Sequence, residues 1–587
     1  MKSLFPVSLF LIASVLVLHP KSVIADDLDV RILLPDSTAV YVEAKSLESV
    51  LKHPFSKSLQ GSNAFKKLWR SPDVMKLRGG LTLFEFAVGD KVELVIKSLT
   101  ANGVHLAVDK KTEGVVLLAC TESQEWLDEY LQKLLKIART DAKSKNQPDP
   151  IREAEYRGIR GYEFQKMIVG SIGSILIVTN KGELGKSIID RHLDSTNDHL
   201  LSQPLFQQAW KSNTEPSLPN ATQQIAKAFV DLDTLRQAGM AKDLLMGKAK
   251  DFAGEVILGG VLASLQKSSY AIAELSLGDT KLSMQVRVPH AQEWTEESRS
   301  FFVGPQGTGY ASFLIESSGM MASLIAYRNL SELWLRAGDL FDEKVNGQLA
   351  QADNTLTTLF SGKDFGTDIL GAIEPQIQLI ASEQAFEPSN SPAIQLPSFG
   401  LVAKLKDPMM KKELKRTFQS FIGFLNVAGA MEGNPQLDLD SETIDGKQIY
   451  TAMYLREDDK KYDNGLPIQF NFSPSLAFEG NLVIVASTNA LAKKATSKST
   501  KQNEAIAEAK NNTALNVDFG ALKHTLEANR LQMISQNMLE KGHSKLEAEK
   551  EIDTLLSLLS LLRNGSAALK FDDHVRLQLD LEIHADR

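Results

Sequence analysis

Two distant stretches of this chain carry the same strand-then-helix pattern. VVLLACTESQEWLDEYL, from Val115, is matched by LVAKLKDPMMKKELKRTF, from Leu401, when Gly114 is set on Gly400. Further pairs follow in the same order: Gly161 in RGIRGYEF with Gly446 in TIDGKQIY, GSILIVTNKGEL from Gly173 with GNLVIVASTNAL from Gly480, VDLDTL from Val230 with VDFGAL from Val517, and AELSLGD from Ala273 with AALKFDD from Ala567. Chance matches between apolar strands do not stay collinear along a whole chain, so the sequence predicts one module written twice. The expected layout is a leader over 1–25, a first unit over 26–300 and a second over 301–587.

Residues 1–25 read as an export signal. Lys2 precedes an apolar run from Leu4 to Leu18, and Val23 and Ala25 stand ahead of Asp26-Asp27, which places cleavage after Ala25. That run is shorter than the roughly 20 residues a membrane span needs, and no later segment is long and apolar enough for one. The expected location is the periplasm or the cell surface. A single cysteine, Cys120, excludes an internal disulfide, and its place at the end of VVLLAC reads as a buried, inert thiol. With 43% hydrophobic and 24% charged residues the chain can bury sizeable cores. Its formal net charge of −8 excludes nucleic acid as a default partner.

Period and punctuation give the elements. Alternation in STAVYVEA (Ser37 to Ala44), VELVIKSL (Val92 to Leu99), GVHLAV (Gly103 to Val108) and KLSMQVRV (Lys281 to Val288) predicts half-buried strands, with a hairpin turn at Gly278 to Lys281 and a second hairpin in SAALKFDDHVRLQLDLEIH. Helix starts are expected at Thr121 with Gln124, at Asp407-Pro408, at Asp231, at Asp518 and at Ser544 with Glu547, the last helix ending at Asn564-Gly565. Thr140 to Pro150, Ser212 to Thr222 (with the Asn220 sequon) and Ala385 to Pro397 read as exposed connectors. The Pro305 region is expected to repeat the Pro35 region, each placing a proline before a strand and a helix. Hairpins dominate, so the fold class is α+β: two tandem related units, each a mostly antiparallel sheet packed by helices.

Catalytic motifs are scarce. There is no HExxH, GxSxG, GxxxxGK[ST] or paired CxxC. His192 and His199 beside Asp190 and Asp194 read as a solvated helix end, DLDSETIDG (Asp438 to Gly446) as a strand and turn lacking calcium-loop spacing, and GPQGTG (Gly304 to Gly309) as a turn. No catalytic, cofactor-binding or metal residue is assigned and no cofactor is expected. AGEVILGGVLASL (Ala253 to Leu265) and DTLLSLLSLL (Asp553 to Leu562) are apolar on nearly all sides, which predicts buried helices or the lining of an apolar groove. Met320 and Met321 are read as core residues on a helix running toward Trp334. The acidic insertion around Glu457 to Gly465 sets the second copy apart, whereas Cys120 and the glycine-rich helix belong to the first.

Pro35, Thr38 and Val42, the run Gly446 to Tyr450 and the strand Val483 to Thr488, with looser echoes at Gly161 to Phe164 and Ile175 to Asn180, resemble a family of large exported bacterial proteins of unknown function. The resemblance implies an extracytoplasmic protein and carries no site residues with it. The expected role is a non-enzymatic binding or scaffolding protein whose partner is a protein or an apolar ligand. An extracytoplasmic hydrolase with a dispersed site and a lipid carrier are the alternatives.

Overall fold

A computed structural model describes residues 29–70, 72–211, 223–240, 252–307, 309–360, 362–387, 391–431, 433, 435–455, 465–497 and 510–584. The expected leader with Ala25, the connector 212–222 with Asn220, and residues 456–464 of the acidic insertion lie outside them. The chain divides into two compact units. One comprises the described residues of Met1–Ala241 with Ser268–Val288 and Ile583 onward; the other comprises those of Lys242–Lys267 and Pro289–Glu582.

The first unit holds β1 (Thr38–Ala44), β2 (Val104–Asp109), β3 (Gly114–Cys120), β4 (Ile151–Tyr156), β5 (Ile159–Phe164), β6 (Met167–Ile172), β7 (Ile175–Thr179), β8 (Gln223–Asp231), β9 (Tyr270–Leu277) and β10 (Lys281–Pro289). They pair antiparallel in the order β10-β9-β8-β1-β2-β3-β7-β6-β5-β4. The second unit holds β11 (Ala322–Tyr327), β12 (Ile373–Ser382), β13 (Ser398–Leu405), β14 (Leu437–Ile444), β15 (Lys447–Tyr454), β16 (Ser475–Glu479), β17 (Leu482–Ala486), β18 (Thr513–Asp518), β19 (Leu562–Phe571) and β20 (His574–Ile583). Their order is β20-β19-β18-β11-β12-β13-β17-β16-β15-β14. Setting β1 on β11 brings the two orders into coincidence. The fold is α+β, with antiparallel sheets packed by helices.

The helices that matter below are α1 (Gln124–Ser144), α2 (Gly182–Asp194), α3 (Phe252–Lys267), α4 (Met410–Met431), α5 (Asn489–Ser497) and α6 (Lys545–Leu559). Strand alternation decides which helix covers which face. In β3 and β7, Val116, Leu118, Ile175 and Ile177 point to the face where α2 lays Leu184 and Ile188. Ala119 and Leu176 point to the other face, where α1 lays Leu127 and Leu131. The second unit repeats this with Leu491, Ala492 and Ala495 of α5 over Val402 and Ile484. On its other face Leu414 and Phe418 of α4 cover Ala403, Leu405 and Val483. Leu127 and Leu184 are fully buried, and such a side chain stabilises by ~1.5–3 kcal/mol.

Several expectations are corrected. Val92–Leu99 is a helix, because its buried residues Val92, Val95, Ile96 and Leu99 recur at three and four, whereas Leu94, which a strand would have buried, is 53% exposed. The cap of α1 is Ser123, whose Oγ accepts from the Trp126 amide at 3.2 Å; Thr121 instead bonds Ser174 O at 2.7 Å. Residues Thr140 to Ser144, expected in a connector, continue α1. Gly446 has its counterpart in Gly158 and not Gly161: Arg157-Gly158 (φ 51° and 85°) and Asp445-Gly446 (φ 49° and 77°) form the same two-residue hairpin turn with positive φ at both positions, and Gly161 lies inside β5.

The last helix ends at Leu559, and Asn564 and Gly565 lie in β19, where pairing with Asp518 and Val517 prevails over the local stop signal. The strand equivalent to β1 begins at Ala322, beyond the Pro305 region, so Met320 and Met321 precede a strand; both are buried. Finally, α3 is not buried all round: Ile257 and Leu258 are exposed while Glu255 is fully buried. This helix packs in the second unit, so neither unit is a continuous stretch of sequence.

Candidate functional site

Register assembles a row of ionisable side chains across the first unit's sheet. His105 on β2 stands opposite Glu43 on β1, Glu43 opposite Lys227 on β8, and Lys227 opposite Glu274 on β9. Directly opposed residues share a face, so the four side chains line up strand by strand, about 5 Å per step. Arg287 of β10 completes the row, its Nη2 lying 3.3 Å from Glu274 Oε1, and Lys227 Nζ is 3.5 Å from the same oxygen. Charge alternates from Glu43 through Lys227 and Glu274 to Arg287, which favours pairing on one face.

Aromatic rings close it. Lys227 Nζ sits 4.1 Å from the Trp210 ring centroid, and Arg31, held by Asp29 through bonds of 2.8 and 2.7 Å, lies 5.9 Å from that ring. Tyr41 Oη is 3.0 Å from Glu43 Oε2 and 2.8 Å from His105 Nδ1. A phenol has one hydrogen and a carboxylate only accepts, so Tyr41 donates to Glu43 and the His105 Nδ1–H donates to Tyr41. Burial pushes His105 down to about 4, opposed by the Asp29 charge, which keeps the ring neutral near pH 7. Burial also lowers Lys227 against the pull of Glu274, and it raises the Tyr41 phenol, aided by Glu43.

The matching positions of the second unit are apolar or neutral. Asp231 and Asp518 each cap the helix after their strand, accepting from Thr234 N at 2.9 Å and Ala521 N at 3.1 Å, and this fixes the alignment of β8 on β18. The row then reads Gln378, Ile325, Ala514 and Ala568. Gln378 is fully buried and satisfied by Leu314 N, Ile315 N, Ile315 O and Ser323 Oγ, all within 3.1 Å. No local motif announces the charged row. Its only trace in the sequence is a charged residue on the inward phase of β8 and of β9.

A second polar centre holds α3 in the second unit. Glu255 and Arg299 form a buried ion pair, and Arg328, 1% exposed, bonds Asn512 Oδ1 and Thr513 Oγ1 at 2.9 Å each and the Val256 carbonyl while lying 3.5 Å above the Phe302 ring. Burial brings the Arg328 guanidinium down to about 9. These partners make it a staple between α3 and the sheet.

The residues singled out by sequence are scattered. Cys120 is buried, which raises its thiol to about 11. Arg157 bridges Asp190 and Asp194 at 2.8 and 2.6 Å, and His199 forms a capping box with Ser202, so the histidine pair is not brought together as a ligand set. Among the described residues one group, Asp572, Asp573 and His574 in the β19–β20 turn, has mutual metal-ligand spacing, and Lys570 and Arg576 already pair with its carboxylates. A shallow depression on α1 is lined by Gln132, Leu135, Lys136, Arg139, Thr140 and Lys143.

The second unit carries a bare apolar surface. On α4, Phe424 is 57%, Val427 67% and Met431 85% exposed; on the sheet Phe399 is 54% exposed, and two residues along β13 Leu401 stands in register between the exposed Leu379 and Val485. No helix among the described residues is long and apolar enough to cross a membrane.

No family model matches the chain, and no curated protein matches it. Among solved structures, crystal form IV of TP0453 aligns at 10% identity over 45% of this chain and 81% of that one, with a TM-score of 0.24. Crystal form III aligns at 9% identity over 47% and 86%, also at 0.24. At that TM-score the likeness does not define a shared fold.

Proposed function

We propose that this protein is an exported, non-enzymatic binding or scaffolding protein of the periplasm or cell surface, built from two units that descend from one duplicated module. The shared strand order and the two equivalent Asp caps support the duplication. The observation that carries the function is the bare apolar surface of the second unit. Large apolar side chains are exposed there, Phe424, Val427 and Met431 at helical spacing on α4 and Phe399 on the sheet, and apolar side chains gathered on the surface of a folded protein mark a place where something binds. The charged row of the first unit is internally paired and acts as structure.

Photo-crosslinking side chains at Phe399, at Phe424 and, as a control, at the exposed Glu125 test this reading in cells. One discrete adduct at either apolar position and none at Glu125 is expected. Loss of a lipid adduct from native mass spectra on introducing charge at these positions would instead make the protein an apolar-ligand carrier.

A second reading, an extracytoplasmic hydrolase, draws on the convergence of Tyr41, Glu43 and His105 in one unit alone. It requires turnover of a chromogenic ester, glycoside or phosphate that disappears in Glu43→Gln while the fold is retained.

A further inference from the structure

Helix α4 has two apolar faces and only one of them is covered. Leu414, Phe418, Ile422 and Leu425 pack on the sheet. Phe421, Phe424, Val427 and Met431 recur at three, three and four residues on the solvent side and are all exposed. This stripe runs along the C-terminal half of the helix for ~15 Å at 1.5 Å per residue. A solvated helix face normally carries charged or polar side chains, and a second apolar stripe is what a helix shows when it has a further partner.

The first unit shows what covers such a stripe. Its helix α1 holds the same place in the strand order, between the third and fourth strands, and it too has a second apolar face: Trp126, Tyr130, Leu134 and Ile137, at four, four and three residues. That face is packed against Phe84 and Val88 of the helix Pro72–Val88 and Val95 of the helix Val92–Leu99. In the second unit the ion pair Lys363–Glu413, at 3.6 Å, lies at the first turn of α4, and Phe424, Val427 and Met431 beyond it are exposed. The charged residues on the N-terminal half of α4 are mostly basic, with Lys412 and Arg416 exposed and Arg416 at 2.8 Å from Glu413.

Resting on the binding reading above, we infer that the stripe Phe421–Phe424–Val427–Met431 is a seat for an amphipathic helix of a partner protein, apolar along one face and acidic at the end that meets Lys412 and Arg416. Apolar side chains at helical spacing supply the affinity, as in helix-in-groove recognition, and the basic flank sets the direction in which the incoming helix lies.

The test uses the full chain and a synthetic, helix-stabilised peptide of about five turns with leucine at i, i+3, i+4 and i+7 and glutamates in one terminal turn. Saturable binding by fluorescence anisotropy is expected, weakened about tenfold or more by Phe424→Asp and by Val427→Lys, and unchanged by Glu125→Lys at an exposed position of the first unit. Lysines in place of the peptide's glutamates are expected to weaken it further, in a salt-dependent way. Both α4 substitutions fall at exposed positions, and an unchanged circular dichroism melt verifies the fold. Three results overturn the inference: no saturable binding, equal binding by wild type and both α4 variants, or sedimentation with phosphatidylglycerol vesicles that Phe424→Asp abolishes while the peptide does not bind. If the seat fails but crosslinks still form at Phe399, the broader binding role stands and only this site is lost.

Discussion

Glu255 and Arg299 meet inside the second unit as a bidentate ion pair, Nε to Oε1 at 2.7 Å and Nη2 to Oε2 at 3.2 Å, with Glu255 wholly shielded from water. Removing one partner leaves a buried charge without compensation. Glu255→Ala is expected to destabilise by ~3–5 kcal/mol, and replacing both residues with apolar ones of similar volume to recover most of that loss. Urea unfolding of the two variants against wild type checks it.

His105 supplies a pH dependence with a definite sign. Its folded value, about 4, lies below the ordinary 6.5, so between these values the unfolded chain holds the proton and the folded one does not. Stability then rises with pH across this window, and ~3 kcal/mol is lost on acidification from 6.5 to about 4. His105→Gln is expected to flatten that segment of the pH profile of the unfolding free energy. A profile with unchanged slope would reject the assignment.

The Cys120 thiol, raised by burial to about 11, is expected to resist alkylation in the native protein near pH 8 and to react fully once denatured. Mass spectrometry of iodoacetamide-treated samples, native and denatured, reads the difference directly.

Gly565 marks a close approach between β19 and the helix that follows β18. A Cβ there would lie 2.8 Å from Phe519 Cε2. Gly565→Val is expected to cost ~1–3 kcal/mol through overpacking, with Phe519→Ala in the same chain relieving part of the clash. Thermal denaturation of the single and double variants measures the coupling.

Local chemistry made much of the fold legible. The Asp231 and Asp518 caps, the Ser544–Glu547 box and the alternation in β1, β2, β10 and β20 depend on neighbours within a few residues, and they stand where the sequence places them. Val92–Leu99 escaped because one string of apolar residues fits both a period of two and a period of 3.6, and only packing against its surroundings selects the helix. Met320 and Met321 were legible as core residues but not as the approach to a strand. The charged row has no local motif, since His105, Glu43, Lys227 and Glu274 are brought side by side by antiparallel register alone.

The sequence by itself determined the α+β class, most strand and helix signals, and the collinear pattern that runs through both halves. These follow from side-chain periodicity and capping, which act over a few residues. Tertiary structure alone decided that Glu255 of an apolar helix pairs with Arg299, that the ionisable row exists in one unit and is apolar or neutral in the other, and that α1 has its outer face covered while α4 leaves Phe424 bare. Each of these depends on which distant surface comes to lie against a given side chain, and burial, not local preference, sets what that neighbour is.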